Sequence, residues 1–173
     1  MLADYDAEGV AEIMGIAPAS ARSGCHEEQV AFVAGSPDAG PVPGKTGSDV
    51  SPLLIERAVE QGLPRNVLRH LAERLAGNDR SKVAALEWAI VPKTTLERRS
   101  TTLSPPESER TERVARLFIH ARRALGSEDE ARAFMVAPHP ELDGRSPLEA
   151  TRTDLATRRA EHVLGALEYG LAI

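Results

Sequence analysis

The sequence predicts an all-α protein, on three observations. Its composition favours helix: aromatics are only 3% and charged residues 27%, with Ala, Leu, Arg and Glu prominent. Its punctuation favours helix: Ser-x-x-Glu boxes open segments and glycines close them. No convincing run alternates apolar and polar residues, and the one short β-like stretch, VAFVAG at 30–35, is isolated. The 173 residues suffice for one domain, or for a small domain with an appendage.

The elements follow in order. Residues 1–50 read as a variable, flexible N-terminal segment, although VAEIMGI is compatible with a short helix. Residues 34–49 hold nine Gly, Pro or Ser in sixteen, the composition of a linker. SPLLIERAVEQG then offers Ser51 as N-cap, Pro52 at the first helical position and Gly62 past the end. LPRNVLRHLAERLAG sets Val67, Leu68, Leu71 and Leu75 on one face and stops at Gly77. SKVAALEWAI and VPKTTLERRS are shorter candidates, the second opened by Pro92.

Three capping boxes punctuate the rest: Ser104 to Glu107, Ser127 to Glu130 and Ser146 to Glu149. In each, the serine oxygen accepts from a free backbone N–H, and the glutamate reaches back to the serine's own N–H. Each cap is worth roughly 0.5–2 kcal/mol. They open ESERTERVARLFIHARRAL, ending at Gly126, then EARAFMVA and LEATRT. A last helix runs from about Asp154 to Tyr169, with Ala156, Ala160, Val163, Leu164 and Leu167 on one stripe. Gly165 interrupts it at a cost of ~1 kcal/mol against alanine, which suggests close packing against that helix. Gly170 suits a left-handed C′ position that redirects Leu171, Ala172 and Ile173.

Charge and motif bound the function. The net charge of −5 argues against indiscriminate nucleic-acid binding, but residues 92–123 carry eight Lys/Arg against four Asp/Glu. No run of about 18 apolar residues spans a membrane. The acidic start lacks the basic region of a signal peptide, and the lone Cys25 makes no internal disulfide, so a cytoplasmic protein is expected. The histidines at 26, 70, 120, 139 and 162 show no metal-ligand spacing. GKTG around Lys45 lacks the spacing of a phosphate loop. These features predict a non-enzyme with no cofactor and no metal.

KVAALEWAIVPKTTLERRS has the outline of a helix-turn-helix. In that alignment Ala85, Ala89, Val91 and Leu96 are the buried positions. Lys93, Thr94 and Thr95 stand at the start of the recognition helix, with Arg98 and Arg99 placed for the DNA backbone. Ile90 stands at the turn, where a positive φ would strain a β-branched residue. The alternative is a helical pair that only contributes to the core.

The C-terminal pattern also resembles a known family. TTLERRSTTLSPPESER, ALGSEDEARAFMVAPHPELDGRSPLEATRT and VLGALEYGL carry the resemblance. Thr95-Leu96, Arg98-Arg99, Leu103-Ser104 and Glu107-Ser108 come first. Ala131, Phe134, Pro140, Leu142, Gly144, Pro147-Leu148, Thr153, Leu164-Gly165 and Tyr169-Gly170 follow in order. Over residues 62–173 the chain resembles the Xre/MbcA/ParS-like antitoxins of RES-type toxin–antitoxin systems. The resemblance implies an HTH-like helical part at 51–103 followed by a C-terminal helical toxin-binding domain at 104–173. It implies a RES-domain toxin as partner, an enzyme that degrades NAD⁺, and operator DNA as a second partner. The last helix and tail would then cover the toxin's active site.

The residues themselves are compatible with that role. Leu171 and Ile173 are apolar pegs for a concave site. Arg145, Arg152, Arg158 and Arg159 suit carboxylates on a partner, and His162, Glu168 and Tyr169 complete the candidate toxin-binding set. Surface solvation of the charged residues, and docking of the tail onto the chain's own core, remain the alternatives. Homodimerisation is expected, since operator palindromes favour two-fold dimers. The rival functions are a stand-alone HTH transcription regulator without a toxin partner, and a structural dimerisation module.

Overall fold

The computed structural model describes residues 5–16, 50–98 and 101–170, and within them the fold is all-α. The helices are α1 (Ala7–Ile13), α2 (Pro52–Gln61), α3 (Arg65–Ala76), α4 (Val83–Ile90), α5 (Lys93–Glu97), α6 (Pro105–Leu125), α7 (Glu128–Val136), α8 (Pro147–Ala150) and α9 (Asp154–Glu168). Single 3-10 turns stand at Arg80–Lys82 and Pro140–Leu142. VAFVAG, the 34–49 linker, Cys25, Lys45, Arg99 and Leu171–Ile173 lie outside the described residues.

The helix ends form where the capping residues put them. Ser51 accepts from the Leu53 N–H, with Pro52 at the first position. The boxes at Ser104/Glu107 and Ser146/Glu149 are reciprocal, the serine N–H donating to the glutamate at 2.7 and 2.9 Å. The third is half a box. The Ser127 hydroxyl accepts from the Glu130 N–H, but the Glu130 carboxylate accepts a hydrogen bond from that hydroxyl at 3.0 Å, not from the Ser127 backbone N–H. Gly126 and Gly170 close α6 and α9 with φ of 82° and 63°. The LEATRT helix is a single turn, because the Thr151 hydroxyl donates to the Leu148 carbonyl and the chain turns towards Thr153, the N-cap of α9.

The long helix α6 is the hub, touching α1, α2, α3, α4, α7 and α9. Val114, Leu117 and Phe118 are fully buried on it, and one cluster of buried side chains runs from Ala7 to Leu164. Where the sequence reading imposed no order, residues 7–13 form a core helix. Val10, Ile13 and, just past the helix, Met14 have no solvent exposure. The Tyr5 hydroxyl anchors this segment, donating to Glu112 Oε1 at 2.9 Å on α6. A clasp braces the centre, an isolated antiparallel bridge between Pro64 and Thr102. The Leu103 N–H donates to the Leu63 carbonyl at 2.8 Å, and the Leu63 N–H donates to the buried Ser108 hydroxyl at 2.8 Å. No helix of the described residues is long and apolar enough to cross a membrane.

Candidate functional site

The last helix carries the site, and its two faces differ sharply. Ala156, Thr157, Ala160, Val163, Leu164 and Ala166 are buried, chiefly against α6. Leu155 and Tyr169 are each 76% exposed, and His162 is exposed midway between them. A spacing of seven residues sets these three on one line along the outer face. Arg158 flanks the line and, among the described residues, is held only by Asp154, one turn earlier, at 3.0 Å. Leu167, expected in the buried stripe, is 41% exposed. The core line runs through Val163, Leu164 and Ala166, and Leu167 falls beyond its edge.

Gly165 lies on this helix with open space beside it. A Cβ built there meets nothing within 4 Å. The close packing expected at this glycine is therefore not supplied by the described residues of this chain. Past it, the Tyr169 N–H donates to the Gly165 carbonyl at 3.1 Å, and Gly170 turns left-handed as its position required. The peg residues Leu171 and Ile173 lie outside the described residues.

The other nominated residues divide by partner. Arg159 Nη1 donates to Asp143 Oδ2 at 2.8 Å, and its Nη2 donates to the Glu141 carbonyl at 2.6 Å. Arg145 joins the same carboxylate at 3.2 Å. Hydrogen bonding and charge from Arg159, then Arg145, hold Asp143 below the usual carboxylate range. Glu168 turns back onto α6, meeting Arg123 at 2.9 Å and His120 at 3.4 Å. Arg152, at the α8–α9 turn, has no ion pair among the described residues and lies near Arg110 and Arg113. Thus Arg145, Arg159 and Glu168 position the helix, whereas Leu155, Arg158, His162 and Tyr169 face outward.

Leu155 was missed in the sequence. The available signal was its seven-residue spacing to His162 and Tyr169, which belongs to no core stripe.

The α4–α5 pair departs from the sequence alignment in register. Val83, Leu86 and Ile90 are the buried residues of α4, Ala85 is exposed and Ala89 is half-buried. Ile90 remains helical, so no strained left-handed residue is needed. Val91 with φ −125° and Pro92 make the bend, and Val91 and Leu96 are buried as expected. Lys93, Thr94 and Arg98 are exposed and Thr95 is half-buried. Lys93 pairs with Glu97 at 3.9 Å and lies 5.0 Å from the Trp88 ring centroid.

Residues 120–170 match the family model described as the antitoxin Xre/MbcA/ParS C-terminal toxin-binding domain. The match runs from the second half of α6 to the glycine that ends α9. It bears out the resemblance to Xre/MbcA/ParS-like antitoxins and supports an antitoxin role in a toxin–antitoxin system. A comparison with curated proteins returned no match.

Proposed function

We propose that this chain, similar over its C-terminal part to an antitoxin's toxin-binding domain, neutralises a RES-domain, NAD⁺-degrading toxin by covering its active site with the outer face of α9 and the tail beyond it. The observation that carries this reading is the coincidence of the matched segment with an unpartnered helix face. Leu155 and Tyr169 are large, apolar and mostly exposed, at the two ends of a helix whose other face is core. Large side chains of this kind anchor interfaces when a partner's surface removes them from water. The mechanism is occlusion, and the antitoxin contributes no bond-making step.

The test is to look for a RES-domain gene beside this one and, with its product expressed in cells, to measure neutralisation. The full chain should restore growth and NAD⁺ levels, whereas the double variant Leu155→Glu with Tyr169→Ala, checked for native helix content by circular dichroism, should not. Equal rescue by the double variant would refute the face assignment. A chain ending at Gly170 separates the tail's share from the helix's share. Failure of the full chain against that toxin would refute the RES assignment itself.

We propose a second activity, autoregulation by operator DNA through the α4–α5 pair as a homodimer. The exposed Lys93, Thr94 and Arg98 support it, with Thr95 beside them and Arg99 outside the described residues. Arg98→Ala with Arg99→Ala should abolish operator retardation yet spare neutralisation. If it abolished both, a stand-alone regulator would explain the chain better.

A further inference from the structure

Most of the partly buried arginines of this protein have a carboxylate close by. Arg74 meets Glu128 at 3.0 Å, Arg116 meets Glu161 at 2.9 Å and Arg132 meets Asp129 at 2.6 Å. Arg110 does not follow that pattern, and Arg113 and the exposed Arg152, whose acidic neighbour is Glu149, lie beside it. Arg110 and Arg113 stand one turn apart on α6. Arg110 Nη2 donates to the Ala89 carbonyl at 2.7 Å, near the C-terminal end of α4, while its buried Nε has no partner. Arg113 Nε donates to the Thr151 carbonyl at 3.2 Å, which brings it to the peptide leading into Arg152. Among the described residues the only ion pair of the three is a 3.7 Å contact from Arg113 to the exposed Glu109. Neither Arg110 nor Arg152 has an ion pair among the described residues. Burial, then the charges of Arg152 and Arg113, pull Arg110 down to about 10.

We infer that Arg110, Arg113 and Arg152 form an oxyanion site that takes a backbone phosphate of duplex DNA, beside the α4–α5 bend and outside the recognition residues. Guanidinium groups match phosphate oxygens in planar, paired hydrogen bonds. Three of them offer more donors than one planar carboxylate accepts, and a tetrahedral phosphate has acceptors on several sides. DNA is favoured over a protein carboxylate by position. Arg110 is bonded to α4 three residues before Pro92 opens α5, and residues 92–123 are the most positively charged part of the chain. Arg110 and Arg113 also precede the matched toxin-binding segment, and Arg152 lies inside it.

This inference rests on the DNA-binding part of the proposed function, and the experiment separates the two. Arg152 is the residue to change, being exposed and without an ion pair among the described residues. The full chain and Arg152→Ala are titrated with duplex DNA from upstream of the gene and with a scrambled duplex of equal length, over a range of salt. A phosphate contact carries no sequence information, so Arg152→Ala should weaken both duplexes by the same factor. The slope of log K against log salt should fall by about 0.9, one phosphate's worth, and Arg152→Lys should restore it in part. Unchanged affinity and slope, with the parent chain binding DNA, would overturn the site and leave the DNA-binding reading standing. No binding of either duplex by the parent chain would overturn both. Intact DNA binding with loss of toxin co-purification would assign the cluster to the protein partner and overturn the phosphate site.

Discussion

Arg159 on α9 holds Asp143 in the left-handed region, at φ 58°, through a 2.8 Å hydrogen bond. Asp143 is the only residue other than glycine with positive φ among the described residues. Aspartate tolerates that conformation better than most side chains, and the guanidinium fastens it. The same arginine bonds the Glu141 carbonyl, so one side chain ties the Pro140–Leu142 turn to α9. Arg159→Ala should therefore loosen the turn selectively. Hydrogen exchange at the Leu142, Gly144 and Arg145 amides should rise while amides of the α6 core stay protected. Uniform protection in the variant would show that the clamp is dispensable.

Gly165→Ala separates stability from binding. The new methyl meets no atom of the described residues within 4 Å, and alanine is favoured over glycine within a helix by about 1 kcal/mol. The free protein should melt higher by several degrees. If the toxin approaches α9 closely at this point, the same substitution should weaken the complex, as read by titration calorimetry. A lower melting temperature for the free variant would contradict the open environment.

Gly62→Ala should do the reverse. Gly62 has φ 94°, and a Cβ there would collide with the Leu103 backbone carbonyl of the central clasp. Strain at such a position costs of order 1–3 kcal/mol, and the collision adds to it. Thermal unfolding should move down by at least several degrees. Alanine at Gly126, where φ is 82° but nothing lies within 4 Å, is the milder comparison.

Core and face should part under mutation of α9. Leu164 is fully buried, and Leu164→Ala should cost about 2–5 kcal/mol in denaturant unfolding. Tyr169→Ala should stay within about 0.5 kcal/mol of the parent, as expected for an exposed site, and lose toxin affinity instead. A large stability loss at Tyr169 would mean that its ring packs on this chain.

Two carboxylates give opposite pH dependences in separate windows. Asp143 is held below the usual range by Arg159 and Arg145. Its contribution is full above the unfolded pKa of about 3.9 and is lost as pH falls through the folded value. Glu112, on α6 against Tyr5, is raised mainly by burial, with Arg116 and the Tyr5 hydrogen bond opposing. The folded state therefore binds its proton more tightly than the unfolded chain. Stability falls as pH rises from the unfolded value of about 4.3 through the raised folded value. Glu112→Gln should remove that decline and leave the acid limb below pH ~4 in place. Parallel pH profiles for parent and variant would rule out Glu112 as its source.

Local capping rules set where most helices begin and end. The caps at Ser51, Ser104 and Ser146 and the terminating glycines at 126 and 170 act within one turn, through bonds that reach no further than three or four residues. That is why the all-α class, the last helix and its left-handed end were legible. Tertiary structure decided what those rules do not reach. It buried Val10, Ile13 and Met14 from an acidic stretch too short to show a period, because α6 offered them a surface. It exposed Ala85 and Leu167, because a helix's rotation is set by what it packs on and not by its own hydropathy. It also sorted the arginines. Arg145 and Arg159 found Asp143, Arg158 stayed on its own helix, and Arg152 came to rest beside Arg110 and Arg113. An ion pair is chosen by distances across the fold, and those exist only once the helices are packed.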